Sequence, residues 1–182
     1  MEEPHGRLPA LLRNPGHSLD RNKYTQRIVM PNKTRKIYYP KKYYQGLSEA
    51  NKTRRKKEIR KFGALSWKNA AAYKGFATDR GVKTKTSSYT EQWNALFPDA
   101  KSLEEKAKAT GVPLKYIQES YNRGMAAWRT GHRPGATQQQ WGYARVHSFL
   151  LCGKTYYTTD ADIAERAPAS AKKWWKQQCP KV

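Results

Sequence analysis

The chain has 182 residues, with 36 Lys+Arg against 14 Asp+Glu and a formal net charge of +22. That length accommodates one modest domain plus extensions, and a surplus of this size predicts a negative neighbour, either a polyanion or an acidic protein surface in a larger assembly. No apolar run approaches the length of a membrane span, and the start Met1-Glu2-Glu3-Pro4 lacks the basic-then-apolar pattern of a secretory leader, so neither is expected.

The charge is spread rather than confined to a tail: residues 1–60 carry 16 basic and 5 acidic side chains, residues 61–182 carry 20 and 9. Only 37% of residues are hydrophobic, and 12 Tyr and six Trp are prominent among them, which predicts a small core with aromatic polar ends that need partners. Residues 1–45 have no sustained periodicity and are punctuated by Pro4, Pro9, Pro15, Pro31 and Pro40. Alone in water such a segment would lose more ordering entropy than burial returns. We read it as an extended basic arm, ordered on partners, in which Tyr38, Tyr39, Tyr43 and Tyr44 are aromatic anchors.

A small helical domain is expected over residues 46–165. Ser48 is the predicted N-cap of a helix over 49–60 that is polar almost all round. With little apolar face to bury, it is expected to lie on a negative surface through Arg54, Arg55, Lys56 and Lys57. An Ala-rich segment over 67–74 stops at Gly75, and a basic turn follows at Arg80-Gly81-Val82-Lys83-Thr84-Lys85. Ser88-Tyr89-Thr90-Glu91 has the form of a capping box, with Trp93, Leu96 and Phe97 as the buried side of a brief helix.

Ser102-Leu103-Glu104-Glu105 is a second capping box. Gly111 suits a left-handed C-cap, and Pro113 the first turn of a helix whose face runs through Leu114, Ile117, Tyr121, Met125 and Trp128. Ala107, Gly111 and Ile117 fall at helix-turn-helix spacing, with Lys115, Gln118, Asn122 and Arg123 on the second helix. Any tight helical hairpin needs the same small residue, turn glycine and apolar contact, so the spacing predicts a hairpin and leaves its role open.

Thr137-Gln138-Gln139-Gln140 is a third capping box, opening a helix with Trp141, Ala144, Arg145, Ser148, Phe149 and Cys152 inward and Gly142 at a close helix approach. Residues 154–159 read as a short strand or an extended connector, and the Asp160 region as a last turn or two. Residues 166–182 form a tail with a short helix over 169–178, displaying Trp174 and Trp175 as further anchors beside Lys172, Lys173 and Lys176.

Catalytic motifs are sparse. Gly153-Lys154-Thr155 lacks the upstream glycine of a phosphate loop. Asp160, Asp162 and Glu165 read as helix N-terminal acids favoured by the dipole. His132 and His147 have no nucleophile or carboxylate placed beside them by sequence. Cys152 and Cys179, the only cysteines, have no zinc-ligand spacing and are expected as reduced thiols, with a disulfide the other state open to them. No enzyme, cofactor or metal is expected. Arg129, His132 and Arg133 cluster about a Gly-Pro turn, where guanidinium groups suit phosphate or carboxylate, or lock the turn to its own domain.

The run Arg123-Gly124-Met125-Ala126-Ala127-Trp128-Arg129-Thr130-Gly131-His132-Arg133-Pro134-Gly135-Ala136-Thr137-Gln138-Gln139-Gln140-Trp141-Gly142-Tyr143-Ala144-Arg145-Val146 resembles a small domain family of unassigned function from nucleocytoplasmic large DNA viruses, chlorella-type and giant viruses among them. The resemblance spans residues 38–165, with Gly131, Arg133, Pro134, Trp141, Ala144 and Arg145 at signature positions; residues 89–97 depart from it, being aromatic where the family pattern is Lys-rich.

The resemblance implies residence in a virion rather than a reaction. The expected role is a minor capsid protein that bridges capsomers beneath the major capsid lattice, on the inner face of the shell after assembly in host cytoplasm or nucleus. Its expected partners are the major capsid protein, other minor capsid proteins and an anionic inner membrane surface. The alternative is a nucleic-acid-binding protein that packages or escorts the genome.

Overall fold

The computed structural model describes residues 39–179. The predicted arm up to and including Tyr38, and the last three residues of the predicted tail, lie outside the described residues. Eight α-helices follow in order: α1 (Glu49–Gly63), α2 (Ser88–Leu96), α3 (Leu103–Thr110), α4 (Leu114–Trp128), α5 (Gln138–Leu150), the single turn α6 (Lys154–Tyr157), α7 (Ala161–Arg166) and α8 (Ala169–Gln178). Short 3-10 turns occupy Lys41–Tyr43, Ala70–Tyr73 and Ala77–Asp79, and no strand occurs among the described residues. The mainly α expectation therefore holds.

Local chemistry starts and stops these helices where the sequence places the signals. Ser48 Oγ accepts from Asn51 N at 3.4 Å, and both the Ser102/Glu105 and Thr137/Gln140 capping boxes form. Each cap satisfies orphan N–H groups and contributes about 1 kcal/mol. Gly111 takes the left-handed C-cap at φ 71°. The start of α2 is different: Ser87 is the N-cap and makes no side-chain cap bond, while Leu96 stays 59% exposed and only Trp93 of that predicted face is fully buried. Residues 154–157 are one helical turn rather than a strand or an extended connector.

The helices α4 and α5 run antiparallel and touch at two glycines. A Cβ on Gly124 would lie 2.8 Å from Gly142 Cα, and one on Gly142 would lie 2.7 Å from the Tyr121 ring. Glycine in a helix interior costs about 1 kcal/mol, a cost offset here by the packing that close approach allows. Around this pair sits the core of Ile117, Val146, Phe149, Leu150, Ile163, Trp93, Trp174 and Trp175. Burying each such side chain contributes roughly 1.5–3 kcal/mol.

Four expectations are corrected by this packing. Trp174 and Trp175 are core residues, not displayed anchors, and α8 closes the domain instead of trailing from it. Their indole N–H groups donate to Leu150 O (2.9 Å) and Phe149 O (3.2 Å), satisfying carbonyls at the end of α5 that have no intrahelical partner. The same docking brings Cys152 and Cys179 together with Cα atoms 5.4 Å apart, and they form a disulfide rather than two thiols. Finally, α1 does bury a face in its own domain. Ile59 and Arg55 are buried, and Phe62 stacks on Phe76 at 5.2 Å, while Arg54, Lys56 and Lys57 remain exposed.

The α3–α4 hairpin forms as predicted, and its candidate reading face is engaged at home. Arg123 donates to Asp162 Oδ1 and Oδ2 (both 2.6 Å) and to Glu119 (2.7 Å), and Gln118 donates to Asn122 at 2.9 Å. Asp160 and Asp162 are ion-pair partners for α4 and α5 more than dipole-favoured caps, and Asp160 makes no cap bond.

Candidate functional site

Four of the nominated contact residues turn inward. Arg55 is fully buried and donates to Tyr43 O (3.2 Å), Thr78 Oγ1 (3.0 Å), Asp79 Oδ1 (2.6 Å) and His132 O (2.8 Å), with its guanidinium 4.4 Å above the Phe76 ring. One side chain thus ties α1 to three separate stretches of the chain, at Tyr43, at Thr78 and Asp79, and at His132. His132, also fully buried, lies between Trp128 (4.1 Å between ring centroids) and Phe76 (4.6 Å), with its ring nitrogens 2.8 Å from Trp128 O and from Asp79 Oδ2.

Asp79 is the hub of this cluster. Burial alone would raise its carboxyl pKa, but the His132 hydrogen bond and charge, the Gly135 N–H and the Arg55 charge together hold it below the ordinary range. Arg129 donates to Gly63 O (3.0 Å) and Leu65 O (2.8 Å), capping the end of α1 where a cation suits the helix dipole. Arg145 grips the fully buried Asp160, with Nη2–Oδ1 at 2.6 Å and Nε–Oδ2 at 2.9 Å. Of the two readings open for the Gly-Pro turn cluster, the internal lock applies to Arg129 and His132.

What this lock builds is a half-open cleft of about 970 Å³. Its floor is α5 with the start of α6; its walls are the turn at Lys42 and Tyr43 and the segment 84–90 leading into α2. Close approach at two loop glycines sets the walls. A Cβ on Gly131 would collide with the Tyr43 ring, and one on Gly135 with the Val82 carbonyl, so both backbone segments press directly onto the α4–α5 loop. Tyr43 then packs edge-on against Trp141, with centroids 6.1 Å apart. Tyr39 is likewise held, its hydroxyl accepting from Arg60 at 2.7 Å, and Lys56 lies over Tyr44. These three tyrosines therefore belong to the domain and not to a free arm.

The lining is electrically one-sided. Lys42, Lys85, Lys101, Lys106, Arg133, Arg145 and Lys154 line the cleft, and no Asp or Glu does. Apart from Arg145, none of these seven makes a salt bridge among the described residues. The crowding is visible in Lys42, whose pKa is lowered by burial and then by the charges of Arg133 and Lys154. Arg133 spends one N–H on Lys85 O at 3.1 Å, and its side chain makes no other hydrogen bond among the described residues.

Deeper in, Lys106 is 2% exposed, donates to Ala100 O (2.6 Å) and Lys101 O (2.7 Å), and lies over the Trp93 and Tyr143 rings. Burial lowers its pKa to about 8 against the pull of Glu105. His147 is buried beside it, its Nδ1 3.0 Å from the Thr90 hydroxyl and its Nε2 without a partner; burial and then Lys106 push its pKa down to about 3. The imidazole is neutral at pH 7. Thr84 Oγ1 is a second buried polar atom without a partner.

Sequence reasoning named Arg133 and Arg145 among the cleft residues but nominated Lys42, Lys85, Lys106 and Lys154 for nothing. Lys106 was detectable, because with Leu103 and Thr110 it recurs at three and four residues on the buried face of α3. The lysines on loops carry no periodic signal and are joined only by the fold.

Fold and site together define, over the described residues, a small mainly helical domain with a basic, aromatic-lined cleft. A model for a family of unknown function, DUF5824, matches residues 40–166, and the chain belongs to that family. No curated protein and no solved structure matches the chain.

Proposed function

We propose that the protein binds nucleic acid through its phosphates, as a component that packages or escorts a large DNA virus genome. The observation that carries this reading is the cleft, where seven cations converge, no carboxylate lines the space, and among the described residues only Arg145 has an acidic partner, Asp160. Holding like charges this close is unfavourable unless a ligand neutralises them, and each phosphate neutralised also releases counterions. Arginine and lysine at the mouth, with hydroxyls of Ser87, Ser88 and Thr155 beside them, supply the donors that phosphate oxygens accept.

The test is binding of a labelled oligonucleotide across a salt series by the wild-type chain and by R133E/K154E. Affinity is expected to fall steeply with salt in the wild type and to be lost on charge reversal. Unchanged binding by the double variant would rule the cleft out.

A second reading is supported by the exposed face of α1. Arg54, Lys56 and Lys57 lie outside the cleft on a convex helix. Such a face suits an extended acidic surface, whether a capsomer, another minor capsid protein or an anionic inner membrane leaflet. On this reading the protein is a minor capsid component on the inner side of the shell. Saturable capsomer binding that persists near physiological salt and fails in R54E/K57E would favour it over genome binding.

A further inference from the structure

We infer that the cleft takes an unpaired strand, a short stretch of single-stranded DNA or RNA with a base against Trp141 and phosphates among Lys42, Arg133 and Lys154. This rests on the nucleic-acid reading above and names the form of the ligand.

Three features carry it. The first is shape. Proteins read duplex by pushing a convex helix or ribbon into a groove, whereas this site is concave and walled on two sides. Its volume of about 970 Å³ is at the upper end of the roughly 300–1,000 Å³ range that encloses a small molecule. A few nucleotides fit such a space, and a double helix does not.

The second is composition. A basic groove interleaved with aromatic rings is the arrangement that holds single strands, the cations following the backbone and the rings stacking on bases. Here Tyr43, Trp141 and Tyr143 line the same cleft as the cations. The third is the position of Lys42. Its Nζ lies 5.2 Å from the Trp141 ring centroid and feels the charges of Arg133 and Lys154. Ring and phosphate-binding cations are thus within one nucleotide's reach, and an unpaired base would replace the ammonium over the indole while its phosphate engages the cations. An acidic peptide would satisfy the charge but leave the rings unused.

The experiment is fluorescence anisotropy with the full chain, using labelled oligo(dT), oligo(rU) and a blunt duplex of the same length near physiological salt. At least one single strand is expected to bind about tenfold more tightly than the duplex, the dT and rU arms showing which sugar is preferred. Trp141→Ala is expected to weaken single-strand binding about tenfold with an unchanged salt slope, whereas Lys154→Ala should flatten that slope by about 0.7. Should Trp141→Ala fail to fold by circular dichroism, Trp141→Phe, which keeps a stacking ring, and Lys42→Ala serve in its place with the wild-type strand preference. Duplex binding equal to or tighter than both single strands overturns this inference and leaves nucleic-acid binding standing. No binding of any of the three overturns both.

Discussion

Replacing Arg55 by Met removes one cation from a chain with 36, yet it should be among the most damaging single changes available. The volume is nearly kept, so the loss is in polar satisfaction. Tyr43 O and His132 O would be left without their donor, while Thr78 Oγ1 keeps Glu58 (2.5 Å) and Asp79 keeps His132 and the Gly135 N–H. One buried and one part-buried carbonyl orphaned at about 1–3 kcal/mol each agree with the roughly 3–5 kcal/mol lost when a buried ion pair is broken from one side. For a chain of this size that is a fall in Tm on the order of 10 °C.

The control is Arg54→Met on the same helix. Its side chain is 63% exposed and reaches Glu58 only at 3.9 Å, so less than about 0.5 kcal/mol is expected. Urea and thermal unfolding followed by circular dichroism measure both. A loss below about 1 kcal/mol for Arg55→Met, or one equal to that of Arg54→Met, would refute the claim that this arginine is an internal staple. Because Tyr43 and the His132 loop edge the cleft, the folded fraction of Arg55→Met should also bind oligonucleotide less tightly.

Other outcomes follow from the same geometry. Gly142→Ala must push the α4–α5 crossing apart against the Tyr121 ring, and about 1–3 kcal/mol of stability should be lost in urea unfolding. Reduction, or Cys152→Ser, opens a link spanning 27 residues and should cost about 3.5 kcal/mol by the loop-entropy relation; mass shift on alkylation before and after reduction checks the pairing. His147 binds no proton in the fold until about pH 3 but does so near its ordinary 6.5 once unfolded. Its contribution is therefore complete above pH 6.5 and lost progressively as pH falls toward 3, a change on the order of 5 kcal/mol. Unfolding free energies between pH 4 and 7 should fall less steeply in His147→Gln. For Lys106 the sign is the same: unfolding takes up protons between pH 8 and 10.5, so stability should rise with pH across that window, and Lys106→Met should flatten the rise.

Much of the helical framework was legible in the residues because its signals are local. Ser48, the Ser102/Glu105 and Thr137/Gln140 boxes and Gly111 act within four residues of themselves, and so could be read without the fold. The start of α2 was misplaced by one residue because Ser87 and Ser88 offer the same hydroxyl, and backbone geometry chose between them without using either side chain as a cap.

The site was much less legible. Arg55 and Lys57 are both cations on a polar helix, and composition treats them alike; one is buried with four hydrogen bonds and the other is exposed. Trp174 and Trp175, flanked by lysines, look like a display surface until α8 folds back and their N–H groups find the end of α5.

The sequence by itself determined where α1, α3 and α5 begin and where α3 ends, that the chain is a polycation, and that Gly142 would permit a close helix approach. It could do so because caps, periodicity and net charge are properties of neighbours in the chain or of simple sums. Only the tertiary structure decided which cations are buried on the protein's own backbone and which line the cleft without an acidic partner among the described residues. Lys42, Lys85, Arg133 and Lys154 come from four separated segments and meet in one cleft, a juxtaposition set by long-range packing that no local pattern encodes.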